Sequence, residues 1–285
     1  MEKFTTGRFI DPFTDWGFKR LFGSEPHKEL LIDFLNQLFL GEREIIDLVY
    51  NKNEHPGELA EHRKAVFDLL CTGSNGEQFI IEVQRVYQEY FKDRCLYYTS
   101  SLIREQALVG STKWTYQLKP VYLIGLMDFC FDDSHRDKFL HRIQLTTRDS
   151  GEVFYDKLGF IFIEMPKFSK TESELTSELD YWFYLLKNLS KLNKIPLFLR
   201  KPVFSKLFNI AEVSNLTKDE KMAYDQSLKA QWDYLNSMDY VEKKGFERGV
   251  EKEKLNNARA MKIKGIDNRI ISEVTGLSAE QVEAL

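Results

Sequence analysis

The stretch that decides the fold runs from Phe67 to Gln84 and reads FDLLCTGSNGEQFIIEVQ. Two apolar runs flank a group of turn residues, which predicts two strands joined in a hairpin. Asp68 lies in the first run, whereas Glu82 and Gln84 lie in the second and share one face because strand side chains alternate. Two carboxylates and an amide in runs this apolar are unfavourable unless they bind something. A divalent cation is the simplest such ligand.

The length of the turn decides whether the two acids meet. A register centred on Asn75 places Asp68 opposite Glu82 and requires an odd-numbered loop. A two-residue Asn-Gly turn, which is a strong hairpin signal, would instead pair Asp68 with Val83 and send the carboxylates to opposite faces. We expect the shared-face register, because the segment 73–76 is long enough for a wider loop.

Composition places the chain among globular proteins and excludes one class of function. Its 285 residues are enough for one large domain, or for one domain plus a smaller one. The hydrophobic fraction of 43%, the charged fraction of 29% and the aromatic fraction of 14% argue against extensive disorder. The net charge of -4 and the isoelectric point of about 5.9 exclude a molecule that binds nucleic acid through its overall charge. Any nucleic-acid contact must therefore come from a local patch.

The cysteine pattern and the lack of targeting signals indicate in which cellular compartment we expect the protein. Cys71, Cys95 and Cys130 are odd in number, widely separated and set among apolar residues. This predicts reduced core thiols rather than disulfides or a zinc site. Nothing in the sequence resembles a signal peptide, and no apolar run reaches the roughly 18 residues that span a bilayer. We therefore expect a cytoplasmic protein with no membrane partner.

Two helices are predicted before the hairpin. From Phe13 to Phe22, apolar residues at helical spacing follow Asp15, which is typical of an N-cap. Asp15 has a second interpretation as an outer carboxylate near a metal, and we favour the cap. A second amphipathic helix covers about His27 to Leu40.

A long helix, roughly Glu89 to Val109, is predicted directly after the hairpin because apolar residues recur every three or four positions. Arg94 and Tyr98 are four residues apart and lie on one face of it. Arg94 has two interpretations that the sequence leaves open. In the first interpretation, Arg94 contacts a substrate phosphate from behind the hairpin. In the second, it forms an ion pair with a neighbouring acid.

The remaining strands predict an α/β (α+β) core with a central mixed sheet flanked by helices. Strand-like apolar runs lie at residues 44–50, 120–126, 139–146 and 158–164. We place the first domain at residues 1–167. A helical region at 168–240 follows, and a charged helix with a short two-helix tail covers 241–285.

Residues 181–211 contain six basic side chains and no acidic one, which makes them the best candidates for contacts with a DNA backbone. The other interpretation is a packed helical pair whose lysines keep the surface soluble. We slightly favour the packed helical pair. The basic residues are Lys187, Lys191, Lys194, Arg200, Lys201 and Lys206.

The sequence ends in GIDNRIISEVTGLSAEQVEAL, preceded by a mixed-charge segment that predicts a solvated helix or a weak coiled coil. The pattern predicts one helix over Ile266–Val274, a turn, and a last helix capped by Ser278. Gln281 stands at the position that nearly completes a capping box. The unit resembles half of a helix-turn-helix, and DNA binding, a protein contact and a simple structural cap all remain open.

An acid on one strand, E-x-Q on the next and a long helix behind them resemble the PD-(D/E)xK nuclease superfamily. Within it, the sequence resembles the nuclease-family transposases of the recombination-promoting nuclease group. The resemblance covers roughly residues 11–130 and the tail. The residues that carry it are Asp15, Phe18, Lys19, Leu21 and Phe22, then Gln84 with Arg94 and Tyr98, then Tyr116–Val121.

The resemblance implies a restriction-endonuclease-like core and metal-dependent hydrolysis of phosphodiesters. Asp68 and Glu82 would hold Mg2+ (or Mn2+) and would form the catalytic site together with Gln84. Gln84 stands where the superfamily signature has lysine, and a glutamine brings hydrogen bonds but no positive charge. The source of that charge is open, and Lys19 and Arg94 are the candidates.

Two functions from different classes follow. The first is a Mg2+-dependent DNA endonuclease, transposase-associated or recombination-promoting, with Asp15, Lys19, Arg94 and Tyr98 as supporting residues. The second is a catalytically weak or inactive nuclease-fold protein that acts as a DNA- or protein-binding module. Only the first requires a divalent cation at the hairpin acids. Assembly into a homo-oligomer is compatible with either.

Overall fold

The predicted hairpin is formed by two antiparallel strands, β4 (Leu69–Gly73) and β5 (Gln78–Gln84). Leu69 pairs with Ile81, and the same register runs to the end of the ladder, so the hairpin is centred on Asn75. This is the register that the sequence analysis favoured over the two-residue turn.

A three-residue loop produces this register. The Gly73 N–H donates to the carbonyl of Glu77 at 2.8 Å, and the Gly76 N–H donates to the carbonyl of Gly73 at 3.0 Å. Gly76 has a φ of +83°, which is the left-handed backbone that closes an odd-numbered hairpin loop. Continued by one residue beyond β4, the register would place Asp68 opposite Glu82, and the Asp68 N–H donates to Oε1 of Glu82 at 3.3 Å. The favoured register is confirmed, whereas the shared face of the two acids stays a prediction because the ladder ends at Leu69.

The computed structural model describes residues 7–51, 54–55, 65–107, 115–131 and 138–285. The chain divides into two units, one up to Ser227 and the other from Leu228 to Leu285. The domain boundaries that we expect near residues 167 and 240 stay predictions.

The additional strands are β1 (Leu48–Tyr50), β2 (Glu54–His55), β3 (Ala65–Val66), β6 (Val121–Met127), β7 (Leu140–Thr146) and β8 (Val153–Glu164). Six strands within the described residues form one mixed sheet in the order β1-β4-β5-β6-β8-β7. The strands β5, β6 and β8 run parallel to one another, whereas the outer pairs are antiparallel. A separate antiparallel pair joins β2 and β3.

The helix α3 (Phe91–Glu105) covers one face of the sheet. Ile80 of β5 is buried there among side chains of α3 and of the neighbouring strands. Because strand side chains alternate, Glu82 and Gln84 point toward the same helix as Ile80. The buried cluster on this face contains Phe67, Leu70, Ile80, Phe91, Cys95, Leu102, Val121, Leu123, Met127 and Phe162.

The opposite face is covered by α1 (Asp15–Phe22) and α2 (Lys28–Leu38). The ring of Phe39, directly after α2, packs against Phe79 of β5 at 5.7 Å and against Tyr122 of β6 at 5.1 Å. The helices α4 (Glu178–Asn188) and α5 (Pro202–Ala211) pack behind α2. This layering buries both faces of the parallel strands, as a parallel sheet requires.

Two expectations at element ends are wrong. Thr14, not Asp15, is the N-cap of α1: its hydroxyl accepts from the Gly17 N–H at 3.0 Å, and Asp15 is the first helical residue. The strand expected from residue 44 begins only at Leu48. Oδ1 of Asn36 accepts from the Ile45 N–H at 2.7 Å, and Nδ2 of Asn36 donates to the carbonyl of Ile45 at 2.9 Å. Both backbone groups of Ile45 are therefore unavailable for pairing in the sheet.

The helix after the hairpin is confirmed but shorter than expected. It begins at Phe91 and ends at Glu105. Residues 108 and 109 of the predicted range lie outside the described residues. Arg94 and Tyr98 both lie within the helix, as expected.

The C-terminal unit contains most of α6 (Lys218–Ile263), followed by α7 (Asn268–Thr275) and α8 (Ala279–Glu283). Its small core consists of Ala258, Ile271, Leu277 and Val282. The predicted capping box at the last helix is confirmed, because Ser278 and Gln281 exchange hydrogen bonds at 2.8 and 3.2 Å. Within the described chain, no helix is both long and apolar enough to cross a membrane.

The loop glycine that closes the hairpin provides a test of the register. We expect Gly76→Ala to lower the free energy of unfolding by about 1–2 kcal/mol, because a Cβ disfavours the left-handed backbone. Urea denaturation followed by circular dichroism measures the change. Ser74→Ala in the same loop is the control and should lie within about 0.5 kcal/mol of wild type. Equal midpoints for both variants would contradict the loop geometry.

Candidate metal and nuclease site

The side chains of Asp68 and Glu82 are tied to each other's strands by hydrogen bonds. Oδ2 of Asp68 accepts from the Val83 N–H at 2.7 Å, and Oε1 of Glu82 accepts from the Asp68 N–H at 3.3 Å. Each carboxylate therefore crosses to the backbone of the facing strand. The pair lies near the carboxyl end of β5, and ligand sites of parallel α/β sheets lie outside the carboxyl ends of the strands.

Burial makes it unfavourable for both carboxylates to be charged at once. Glu82 is only 5% exposed, and its pKa is raised to about 8 by burial and, next, by the charge of Asp68. The pKa of Asp68 is also raised, again chiefly by burial, although its hydrogen bond from Val83 opposes the shift. Without a cation beside them, the two acids retain a proton at neutral pH.

The surroundings of Glu82 explain its burial. Its partner on β6 is Gly125, which has no side chain. A Cβ on Gly125 would come within 2.8 Å of the ring of Phe162 and 3.6 Å of the ring of Phe91. Aromatic rings therefore fill the space next to Glu82 on the β6 side and exclude water there.

Gln84 is joined to Arg94 of α3. Its Oε1 accepts from an Nη of Arg94 at 2.6 Å, and its Nε2 donates to the carbonyl of Val86 at 3.1 Å. The other Nη of Arg94 donates to Oε1 of Gln88 at 2.5 Å. The charge of Arg94 lowers the pKa of both acids, so this guanidinium lies close to the pair.

The other supporting residues that we predicted also lie around the acids. Lys19 forms an ion pair with Asp15 one helical turn away at 2.7 Å, and both charges affect the pKa of Asp68. The pKa of Tyr98 is raised by partial burial and then by Glu82. The structure therefore brings Asp15, Lys19, Arg94 and Tyr98 together with the two acids, while their roles stay predictions.

The basic residues of 181–211 fall into two groups. Lys187 donates to the carbonyls of Phe168 and Pro166, at 2.5 and 3.3 Å, and Lys201 forms an ion pair with Glu178. Lys206 likewise pairs with Glu29 at 2.5 Å. By contrast, the side chains of Lys191, Lys194 and Arg200 are exposed and, within the described chain, make no hydrogen bond or ion pair.

A second charged group next to the site was not predicted. Arg85 contacts Asp11 at 2.8 Å and Asp128 at 3.2 Å, and the Asp128 N–H donates to the carbonyl of Gln84 at 2.9 Å. The charge of Lys191 affects the pKa of Asp128, so Lys191 lies near this group. The sequence did contain a signal for this group, since Asp128 directly follows the apolar run of β6. A residue at that position lies at the carboxyl edge of the sheet, where ligand sites are found.

A divalent cation suits the donors of Asp68 and Glu82. Within the described residues, no group of three or more metal-ligating side chains occurs, so the two carboxylates would be the protein's own acidic ligands. Mg2+ is commonly held by one or two carboxylates, with waters and phosphate oxygens in the other positions. A cation would also remove the charge conflict that keeps a proton on the pair. The residues present therefore fit a hard divalent metal.

Comparison with known proteins identifies the family. A family model described as PD-(D/E)XK nuclease family transposase matches residues 12–241. The chain belongs to this family. Its mixed sheet with flanking helices agrees with the restriction-endonuclease-like α/β fold expected from the resemblance, and PD-(D/E)XK nucleases generally use divalent metals. No curated protein and no solved structure matches the chain.

The raised pKa of Glu82 predicts how the stability of the metal-free protein depends on pH. An unfolded glutamate releases its proton near pH 4.3, whereas folded Glu82 retains it up to about pH 8. Between these values the folded state binds more protons, so the free energy of unfolding should fall as pH rises, by on the order of a few kcal/mol.

Urea denaturation in EDTA, at several values from about pH 5 to about pH 8, measures this dependence. We expect Glu82→Gln to flatten it, because an amide does not titrate. Glu152→Gln, which changes an exposed acid, should keep the wild-type slope. A Glu82→Gln protein whose stability falls with pH as steeply as wild type would contradict the burial of this carboxyl.

Proposed function

We propose that the chain is a Mg2+- or Mn2+-dependent DNA endonuclease of the transposase-associated, recombination-promoting kind. The observation that carries the proposal is the cross-strand pair of half-buried Asp68 and buried Glu82, held at the carboxyl end of β5 by reciprocal hydrogen bonds. Family membership supports a nuclease. Cleavage by this chain, its metal and its DNA substrate are proposals, as is a location in the cytoplasm.

The chain's own residues would perform three tasks. Asp68 and Glu82 would hold the cation, which when bound polarises the phosphate and lowers the pKa of a coordinated water. The hydrogen bonds from Val83 and from the Asp68 backbone orient the two carboxylates before any ligand arrives. The rings of Phe91 and Phe162 keep water from the inner side of Glu82, which strengthens its interaction with a cation.

The DNA backbone would run along the carboxyl edge of the sheet toward the exposed basic residues. Lys191 supports this path, since its charge reaches Asp128, which is bonded to the carbonyl of Gln84. The charged groups of Lys191, Lys194 and Arg200 have no hydrogen-bond or ion-pair partner among the described residues. Lys187 and Lys201 are also predicted DNA contacts, but their charged groups already have partners within the protein. We therefore expect them to contribute less to DNA binding.

A second candidate function is a nuclease-fold protein that binds DNA or a partner protein without efficient cleavage. The observation that favours it is Gln84, which replaces the signature lysine and whose amide is bonded at both ends within the protein. This function needs the basic surface and does not need a cation at the acids.

Cleavage of supercoiled plasmid tests the proposal. Purified wild type should nick plasmid with Mg2+ or Mn2+ and not with EDTA. We expect Asp68→Asn and Glu82→Gln to lower the rate by about 100-fold or more, because each removes a charged oxygen ligand while keeping the side-chain shape.

The matched controls are Asp149→Asn and Glu152→Gln, which make the same substitutions at exposed acids. They should nick at the wild-type rate. If wild type leaves plasmid intact, or if the hairpin variants cut as well as the controls, the acids are not catalytic and the binding function takes precedence.

The basic surface predicts the strength and salt dependence of DNA binding. Combined replacement of Lys191, Lys194 and Arg200 by glutamine should weaken binding of a short labelled duplex by about tenfold or more at moderate salt. It should also reduce the slope of log affinity against log salt by up to about 0.9 for each lost phosphate contact. Fluorescence anisotropy in EDTA measures both.

The control is replacement of Lys206 by glutamine, since Lys206 is paired with Glu29. This variant should change the slope of log affinity against log salt little. A triple variant with the wild-type slope would show that these residues do not contact DNA.

A further inference from the structure

The amide of Gln84 is committed to holding another side chain. Its oxygen accepts from Arg94 at 2.6 Å and its nitrogen donates to the carbonyl of Val86 at 3.1 Å. Gln84 lies at the end of β5, whereas Arg94 lies in the first turns of α3, so this hydrogen bond fixes the helix residue against the strand. An amide bonded at both ends is poorly placed to activate a water itself.

The positive charge of Arg94 acts on the two nearby acids, whose pKa values it lowers, without forming an ion pair with either within the described residues. Its two hydrogen bonds go to the neutral amide oxygens of Gln84 and Gln88, and within the described chain it forms no ion pair. Its guanidinium lies over the rings of Phe91 and Tyr98, at 5.2 and 5.9 Å from their centroids. A guanidinium has five N–H donors, so two hydrogen bonds leave donors for a further acceptor.

One of the remaining donors is buried without an acceptor. The Nε of Arg94 has almost no contact with solvent and no hydrogen-bond partner. Buried donors without partners are rare in folded proteins and call for an explanation. A negatively charged ligand oxygen that binds beside Glu82 would accept hydrogen bonds from this guanidinium after a small change in the side-chain conformation of Arg94.

Lys19 is the weaker candidate for supplying the positive charge that the signature lysine would bring. Its ammonium forms an ion pair with Asp15 at 2.7 Å, so a neighbouring carboxylate already compensates its charge. Arg94 is instead tied to Gln84, the residue that replaces the signature lysine. The two positions are therefore linked directly, by one hydrogen bond.

We infer that Arg94 takes the place of the signature lysine by contacting a nonbridging oxygen of the scissile phosphate, and that Gln84 is the positioning residue that holds it there. The inference rests on the proposed nuclease function. It changes the role of Gln84 from a catalytic residue to a support for one.

The task of Arg94 would be electrostatic. During hydrolysis a water releases a proton to solvent and its oxygen forms a bond to phosphorus, while the bond from phosphorus to one ester oxygen breaks and that oxygen leaves with a proton from solvent. Arg94 neither takes nor gives a proton, because a guanidinium does not act as a base. It stabilises negative charge on the phosphate oxygens, which is the usual contribution of arginine in phosphoryl transfer.

A charge relocation experiment tests the inference in the full-length protein. Arg94→Met keeps the aliphatic stem and removes the charge, and it should lower the nicking rate by about 100-fold. The double variant Gln84→Lys with Arg94→Met moves the charge to the signature position, and it should nick at least about tenfold faster than Arg94→Met. Lys92→Met, which removes an exposed cation from the same helix, should nick at the wild-type rate.

A second measurement separates the proposed role from a structural one. Calorimetric titration with Mn2+ should show that Arg94→Met still binds the metal, since Asp68 and Glu82 are intact. Its unfolding temperature should stay close to that of wild type. Loss of folding or of Mn2+ binding in Arg94→Met would overturn the inference, because Arg94 would then support the site and not the phosphate.

The kinetic outcomes distinguish this inference from the proposed function. If wild type nicks and Arg94→Met nicks equally well, or if the double variant is no faster than Arg94→Met, the inference is wrong and the nuclease stands. If wild type does not nick with Mg2+ or Mn2+, both are wrong.

Discussion

The structure of the site depends on one constraint, the register between β4 and β5. With an odd-numbered loop centred on Asn75, Asp68 lies opposite Glu82 and each carboxylate bonds to the other strand. A shift of one residue would turn one of the acids to the other face of the sheet. The left-handed Gly76 is therefore linked to the site although it lies at the other end of the hairpin.

Burial of Glu82 beside half-buried Asp68 makes the site suited to a cation. Water is excluded from Glu82 by aromatic rings that occupy the space over Gly125, and the resulting rise in the pKa of Glu82 means that the pair retains a proton unless a cation binds. Arg94 offsets part of the negative charge from the side of α3. A site with one buried acid, one half-buried acid and a neighbouring guanidinium is arranged for a ligand that brings positive charge to the acids and negative charge to the arginine.

The sequence predicted the parts of the fold that depend on local pattern. Alternation and apolar runs identified the hairpin and the fully buried β6, because both signals lie within a few residues. Neighbouring Thr14 and Asp15 are both good capping residues, so local pattern did not decide between them. The bond between Gln84 and Arg94, and the contact of Arg85 with Asp11, depend on side chains that only the fold brings together.

The most direct test of the central claim is anomalous diffraction from crystals of the wild-type protein grown with Mn2+. We expect one strong peak at roughly 2.2 Å from an oxygen of Asp68 and from an oxygen of Glu82, with waters completing the coordination. Mn2+ bound only at other positions, with neither of these carboxylates as a ligand, would show that Asp68 and Glu82 do not form a metal site.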